Sequence, residues 1–116
     1  MRQRAVYVTE RLGSARSRAN GGELVIRVMA VYESQPDAER YEQHAGLCLQ
    51  VAGSTFRHGR VLRTIHGAPD LHHYAEFEFP DMDPFKAVAD SDEFRATGKD
   101  AAEMGVPHSV YLTAAE

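Results

Sequence analysis

The chain has 116 residues, of which 43% are hydrophobic and 26% charged, and its formal net charge is −4 at pH 7. These values are ordinary for one soluble domain that buries about two-thirds of its unfolded surface. No apolar run approaches the roughly 18 residues that a membrane span requires. Cys48 is the only cysteine, which excludes an internal disulfide and a thiol cluster for zinc and fits a reducing cytoplasm.

Charge is distributed unevenly along the chain. Residues 1–22 contain five arginines and one acid, Glu10, for a net charge of +4. The remaining residues contain 8 basic and 16 acidic groups, for a net charge of −8. We interpret residues 1–22 as a flexible, arginine-rich arm and residues 23–116 as the folded domain. Because this domain is acidic, we do not expect it to bind nucleic acid.

The first predicted element of the domain is a buried strand. Residues 24–32 (LVIRVMAVY) are rich in β-branched side chains and contain one charge, Arg27. Alternation along a strand places Arg27 and Met29 on one face, opposite Ile26 and Val28. We expect the face of Arg27 to share a pocket with polar groups from neighbouring strands.

Two helices are predicted from their capping signals. Residues 34–37 (SQPD) have the cap, proline and acid of a helix start, and apolar residues then recur at spacings of three and four up to Gly53. A second helix is expected after an Asp83 cap. Ser91 predicts a fresh cap that interrupts this helix, and Gly105 predicts its end.

Two further strands are predicted between the helices, and a last one after them over residues 107–113. Residues 55–66 suit a long strand, and residues 67–70 form the turn into residues 71–80 (LHHYAEFEFP). Alternation in that run predicts one mostly apolar face and one polar face. The apolar face carries Leu71, His73, Ala75, Phe77 and Phe79, and the polar face carries His72, Tyr74, Glu76 and Glu78.

The element order β-α-β-β-α-β predicts an α+β, ferredoxin-like domain, a four-stranded antiparallel sheet with both helices on one face. The helix-covered face is expected to be apolar. The other face mixes polar and apolar side chains, namely Val25, Arg27, Met29, Val31, His72, Tyr74, Glu76 and Glu78. Because unpaired buried charge is costly, we expect Arg27 to pair with Glu76 or Glu78. A half-enclosed cavity between two such sheets would account for the mixture.

His44, His72 and Tyr74 are the candidate catalytic residues, because imidazole exchanges protons near neutral pH and a phenol can donate to a carbonyl oxygen. The candidate ligand contacts are Arg27, Met29, Glu76 and Glu78. Hydrogen bonding within a dimer interface is the alternative role for His72 and Tyr74. We predict no metal site, since neighbouring histidines on a strand point to opposite faces, and no dinucleotide, phosphate-loop or nucleophile motif occurs.

The order and spacing of several segments resemble the EthD-like family of the dimeric α/β-barrel, ferredoxin-like superfamily. The resemblance covers roughly residues 24–113. It rests on the first strand, on His44-Ala45-Gly46-Leu47 with Gly53 nine residues after the histidine, on the strand YAEFEF (residues 74–79), on Ser91-Asp92-Glu93 followed by Asp100, and on Gly105-Val106 before the last strand. Gly46 replaces the family's proline, and the family's aromatic residue before the histidine is offset to Tyr41.

The resemblance implies a homodimer whose two sheets enclose a cavity for a small apolar or aromatic molecule. It also implies a connection with the degradation of ethers and other xenobiotics. Related barrels use His and Tyr without cofactors for cyclisation or oxygenation of aromatic compounds. By analogy, His44 or His72 would abstract a proton, Tyr74 would polarise a carbonyl, and Arg27 would stabilise negative charge.

Three functions stay open at this point. The first is a cofactor-free enzyme, such as a cyclase, a dehydratase or a monooxygenase-like enzyme. The second is a non-catalytic binding or accessory dimer. The third is a haem-dependent enzyme, because some members of the superfamily bind haem.

Overall fold

The computed structural model describes residues 24–116, which form a four-stranded antiparallel sheet in the order β2-β3-β1-β4 and three helices. The elements are β1 (Ile26–Tyr32), α1 (Ala38–Cys48), β2 (Thr55–Arg60), β3 (His73–Phe79), α2 (Met82–Ala89), α3 (Asp92–Met104) and β4 (His108–Ala114). This is the predicted ferredoxin-like arrangement. The predicted arm, residues 1–22, lies outside the described residues. No helix of residues 24–116 is long and apolar enough to cross a membrane.

The main core lies where β1 and β3 face the helices. The register pairs Ile26 with Phe79 and Val28 with Phe77, so the apolar side chains of the two central strands lie on the same face. The buried members of this cluster are Ile26, Cys48, Val51, Phe77, Phe79 and Val88. The predicted helix-covered face is therefore confirmed. A smaller cluster of Tyr32, Tyr41 and Ala45 lies at one end of the sheet.

The predicted caps at Ser91 and Gly105 are confirmed, and the side chain of Ser91 accepts a backbone N–H of α3. The start of α1 differs, because its cap is Asp37 and not a residue before Pro36, and α1 ends at Cys48, before Gly53. Gly105 ends α3 with a positive φ of 74°. The cap of α2 is Asp81 rather than Asp83, because the Asp81 carboxylate accepts the backbone N–H of Asp83 at 2.9 Å.

The connection between β2 and β3 is longer than the predicted turn. The strand expected over residues 55–66 ends at Arg60, and residues 61–72 have no regular structure. Arg60 pairs with His73, the first residue of β3, and the β2–β3 ladder ends at this pair. Leu62 and Ile65 consequently lie in solvent, 87% and 90% exposed. His72 belongs to this connection and not to the strand.

We expect Phe79→Ala to lower the free energy of unfolding by about 3–5 kcal/mol, because the Phe79 ring is fully buried and its loss leaves a cavity. Leu62→Ala is the matched control, with an expected change below about 0.5 kcal/mol. Urea unfolding of both variants at one protein concentration measures the difference. Similar losses in the two variants would contradict this assignment of the core.

Candidate functional site

The sequence-predicted site residues lie on two different faces of the sheet. Tyr74, Glu76 and Glu78 share the face opposite the helices with Arg27. His44 projects from α1 on the helix-covered side, where it is 4% exposed. The structure therefore does not bring His44 and Tyr74 together.

His72 is separate from both of these residues. Its side chain is exposed, and its backbone N–H donates to the carbonyl of Tyr32 at 2.8 Å. It lies in the β2–β3 connection, directly before β3, and not within the strand that the sequence predicted.

Tyr74 lies against the backbone of β2. Gly59 is its partner in the neighbouring strand, and a Cβ at that position would lie 3.0 Å from the Tyr74 ring. A glycine at this position therefore leaves room for the Tyr74 ring on the open face.

Four charged side chains form an ion-pair network on the open face. Arg27 contacts Glu78 at 2.9 Å and Glu76 at 3.6 Å, which confirms the predicted pairing. Arg57, which sequence reasoning did not consider, contacts both carboxylates and is 3.0 Å from Glu78. Burial by itself would raise the pKa of Glu78, but its contacts with Arg57 and Arg27 outweigh burial and lower it. The network satisfies these charges without a ligand.

Met29 is buried on the same face, between Glu76 of β3 and Tyr111 of β4 in the register. Contact of Arg27, Met29, Glu76 and Glu78 with a ligand stays a prediction.

A cavity of about 170 Å³ lies on the other side, between the sheet and helices α1 and α3. Most of its wall is apolar and includes Val28, Phe56, Ala75, Phe77, Phe94 and Val110. Its polar lining residues are Tyr32, His44, Cys48, Thr97 and His108. Of the predicted catalytic residues, His44 alone lines this cavity.

His44 is held between two helices by a hydrogen-bonded chain. Its Nδ1 lies 2.9 Å from Asp100 of α3, and Arg40 of α1 binds the same carboxylate through both terminal nitrogens, at 2.7 and 3.1 Å. The bonds from Arg40 lower the pKa of Asp100, and the bond from His44 contributes. Because an ionised carboxylate only accepts, the hydrogen of neutral His44 is on Nδ1.

Cys48 completes this chain, one helical turn after His44. Its Sγ lies 3.4 Å from His44 Nε2, so the thiol donates to the nitrogen that carries no hydrogen. Burial raises the pKa of Cys48 to about 12, with the charge of Asp100 adding to it, and the thiol stays protonated. Both ring nitrogens of His44 are therefore engaged.

His108, at the start of β4, differs from His44 because only one of its ring nitrogens is hydrogen-bonded within residues 24–116. Its Nδ1 lies 2.8 Å from the carbonyl oxygen of Val106, which only accepts, so Nδ1 carries the hydrogen and Nε2 keeps a lone pair. The ring stacks on Tyr32 with centroids 5.1 Å apart and an interplanar angle of 27°. No hydrogen bond to Nε2 occurs within residues 24–116.

A second pair of imidazoles lies beside the cavity. His58 Nδ1 and His73 Nε2 are 3.3 Å apart, and Gln35 Nε2 donates to His73 Nδ1, also at 3.3 Å. The Tyr41 ring packs 4.5 Å from His73, 4.8 Å from His58 and 5.3 Å from His44. Burial lowers the pKa of His73 to about 4, and His58 adds to the shift. Four of the six histidines therefore gather around two tyrosines.

Sequence reasoning missed most of this cluster, although the pattern contained a signal. Tyr32 lies opposite His73 in the β1–β3 register and opposite His108 in the β1–β4 register. The predicted topology makes these strands neighbours, and alternation already placed His73 on the helix-covered face. Applying the strand register to His73 would have indicated that His73, Tyr32 and His108 lie side by side. In the described part of the chain, no group of three His, Cys, Asp or Glu residues is arranged to hold a metal ion.

No family model and no curated protein matches this chain. Among solved structures, an EthD family protein from Bacillus halodurans C-125 matches with a TM-score of 0.62, 20% identity and coverage of 77% of this chain and 96% of that chain. A hydroxynitrile lyase from Passiflora edulis matches with a TM-score of 0.63, 17% identity and coverage of 79% and 94%. A dimeric ferredoxin-like protein of unknown function from Thermobifida fusca YX matches with a TM-score of 0.56, 18% identity and coverage of 79% and 92%.

These likenesses show the fold, and they confirm the predicted EthD-like, ferredoxin-like architecture. At such identities they do not carry a function to this chain.

Stability should depend on pH through His73. In the unfolded chain its pKa is near 6.5, whereas in the fold it is about 4, so between these values the unfolded state binds more protons. Stability is therefore expected to fall by about 2 kcal/mol between pH 7.5 and pH 5. His73→Asn should remove most of this slope, and His66→Asn, in the exposed connection, should retain it. Urea unfolding at both pH values tests this, and an unchanged slope in His73→Asn would contradict it.

Proposed function

We propose that this chain binds a small, uncharged, mostly apolar molecule in the cavity between the sheet and the helices. The observation that carries this proposal is an aromatic wall combined with imidazole and phenol groups in one cavity. An apolar cavity of about 150 Å³ can hold benzene, so about 170 Å³ suits a ligand built on one aromatic ring. None of the described lining residues is Asp, Glu, Lys or Arg, which favours an uncharged ligand.

We infer that the chemistry is proton transfer without a cofactor, at a carbon next to a carbonyl group. An imidazole of the cavity would take the proton, and the Tyr32 hydroxyl would donate to the carbonyl oxygen. Burial raises the pKa of Tyr32, which keeps this hydroxyl protonated. Tyr32 takes the role that we first predicted for Tyr74, because Tyr74 lies on the other face of the sheet. A role in the degradation of ethers, xenobiotics or aromatic compounds is compatible with this chemistry.

The fold is compatible with an enzyme of this kind, since a hydroxynitrile lyase has a similar fold. A haem does not fit the cavity, because a space that suits one benzene-sized ring cannot enclose a macrocycle of four pyrrole rings. The second candidate function is a non-catalytic binding protein, and the engagement of both His44 nitrogens favours it.

Acetophenone in D₂O is a suitable probe, since it is an uncharged aromatic ketone with exchangeable protons beside its carbonyl. The protein should accelerate deuterium incorporation into its methyl group over the buffer rate by more than tenfold, as expected for general-base catalysis of about 10²-fold or more. Proton NMR measures the exchange.

Gly98→Leu and Gly46→Leu form a matched pair for this experiment. Both glycines lie in helices and have open space where a Cβ would stand, but only Gly98 lines the cavity. We expect Gly98→Leu to abolish the acceleration and Gly46→Leu to retain it. Acetophenone-induced amide shifts around the cavity without exchange would favour the binding protein. Shifts confined to the surroundings of Tyr74 would place the ligand on the open face and contradict the cavity site.

We also propose that two copies form a homodimer. The edge strand β4 exposes Val110, Tyr111 and Leu112, which are 57%, 44% and 55% exposed. Within residues 24–116, β4 is an edge strand, and its exposed apolar side chains on both sheet faces favour contact with a partner. A solved structure with this fold is described as dimeric, which supports the same assembly here.

Leu112→Glu should weaken the homodimer by more than tenfold, because it would bury an unpaired carboxylate in the interface. Sedimentation equilibrium at micromolar concentrations measures the dissociation constant. Leu49→Glu is the control, at a residue that is 68% exposed in the turn after α1, and it should leave the constant unchanged. A monomeric wild-type chain at these concentrations would contradict the proposed homodimer.

A further inference from the structure

Some hydrogen-bonding groups of the cavity are already bonded to other groups of the protein, and others are available to a ligand. The Thr97 hydroxyl donates to the Phe94 carbonyl at 2.6 Å. His44 is engaged at both nitrogens, by Asp100 and by the Cys48 thiol. The lone pair of His44, on Nε2, is therefore available to a ligand only if its hydrogen bond from the Cys48 thiol is broken.

His108 is the imidazole of the cavity that has a lone pair to offer. The Val106 carbonyl fixes the hydrogen on Nδ1, and Nε2 has no hydrogen bond within the described part of the chain. Stacking on Tyr32, which is itself 1% exposed, restricts rotation of the ring. A restrained acceptor in a mostly apolar wall discriminates strongly, since a ligand without a donor leaves this polar group unpaired.

We propose that His108 Nε2 selects ligands that carry one O–H or N–H donor on an aromatic ring, with phenols as the simplest class. This inference rests on the proposed function of the cavity and adds the residue that discriminates between ligands. The donor hydrogen bonds to Nε2, while the ring contacts the apolar wall that includes Phe56, Phe77 and Phe94. A ligand without such a donor, such as acetophenone, leaves Nε2 available to take the proton from the carbon beside its carbonyl and to return it, and the Nδ1–H bond to Val106 persists. The hydrogen bonds of Arg40 and His44 to Asp100 instead position α1 against α3.

Phenol and toluene are matched probes, because they have nearly the same size and differ in a single donor. Their dissociation constants are measured by amide-resonance titration of the wild type, His108→Phe and His44→Gln. In His108→Phe we expect the phenol constant to rise at least tenfold and the toluene constant to change less than threefold. In His44→Gln we expect the ratio of the two constants to change less than threefold. A preserved ratio in His108→Phe, or a ratio lost only in His44→Gln, overturns the assignment.

A measurement on the wild type tests the assignment even if a variant fails to fold. The ¹⁵N resonance of His108 Nε2 should move when phenol is added and stay unchanged with toluene, while the Nδ1–H resonance persists. Binding of both probes without a shift of Nε2 overturns the role of His108 and leaves the cavity as the binding site. Failure of both probes to bind contradicts the proposed function itself, and the inference with it.

Discussion

The antiparallel register between β1 and β3 is the constraint on which the rest of the structure depends. It places Ile26 opposite Phe79 and Tyr32 opposite His73, so the two central strands present matched side chains on each face. A shift of β1 by one residue would exchange the two faces of that strand. Arg27 would then point at the helices, and Ile26 would point away from Phe79 and the core.

This register separates two kinds of polar chemistry in one small domain. On the open face, arginine and glutamate side chains neutralise one another across β1, β2 and β3. On the helix-covered face, imidazole and phenol groups lie in and beside an apolar cavity. Uncharged groups with tunable protonation suit such a cavity, because burial penalises any charge that has no partner. The face with the greater charge is therefore not the face best suited to proton transfer.

Asp100 connects the fold to the cavity. Its carboxylate accepts from Arg40 and His44, so a single residue of α3 holds two side chains of α1. The contact with Arg40 keeps the carboxylate ionised, and the ionised carboxylate sets the tautomer of His44. The Val106 carbonyl sets the tautomer of His108 in the same way. The two histidines share a cavity, but Nε2 of His44 is bonded to the Cys48 thiol, whereas Nε2 of His108 has no hydrogen bond within residues 24–116.

The sequence by itself determined the element order, the helix cap at Ser91, the apolar face of the sheet and the partners of Arg27. Each of these follows from local periodicity or from neighbouring strands. The tertiary structure decided the strand registers, which bring Tyr32, His73 and His108 together at one end of the sheet. It also decided which histidine nitrogens are engaged, because hydrogen bonds such as that from His44 to Asp100 join residues 56 positions apart. Such long-range contacts leave no periodic trace in the sequence.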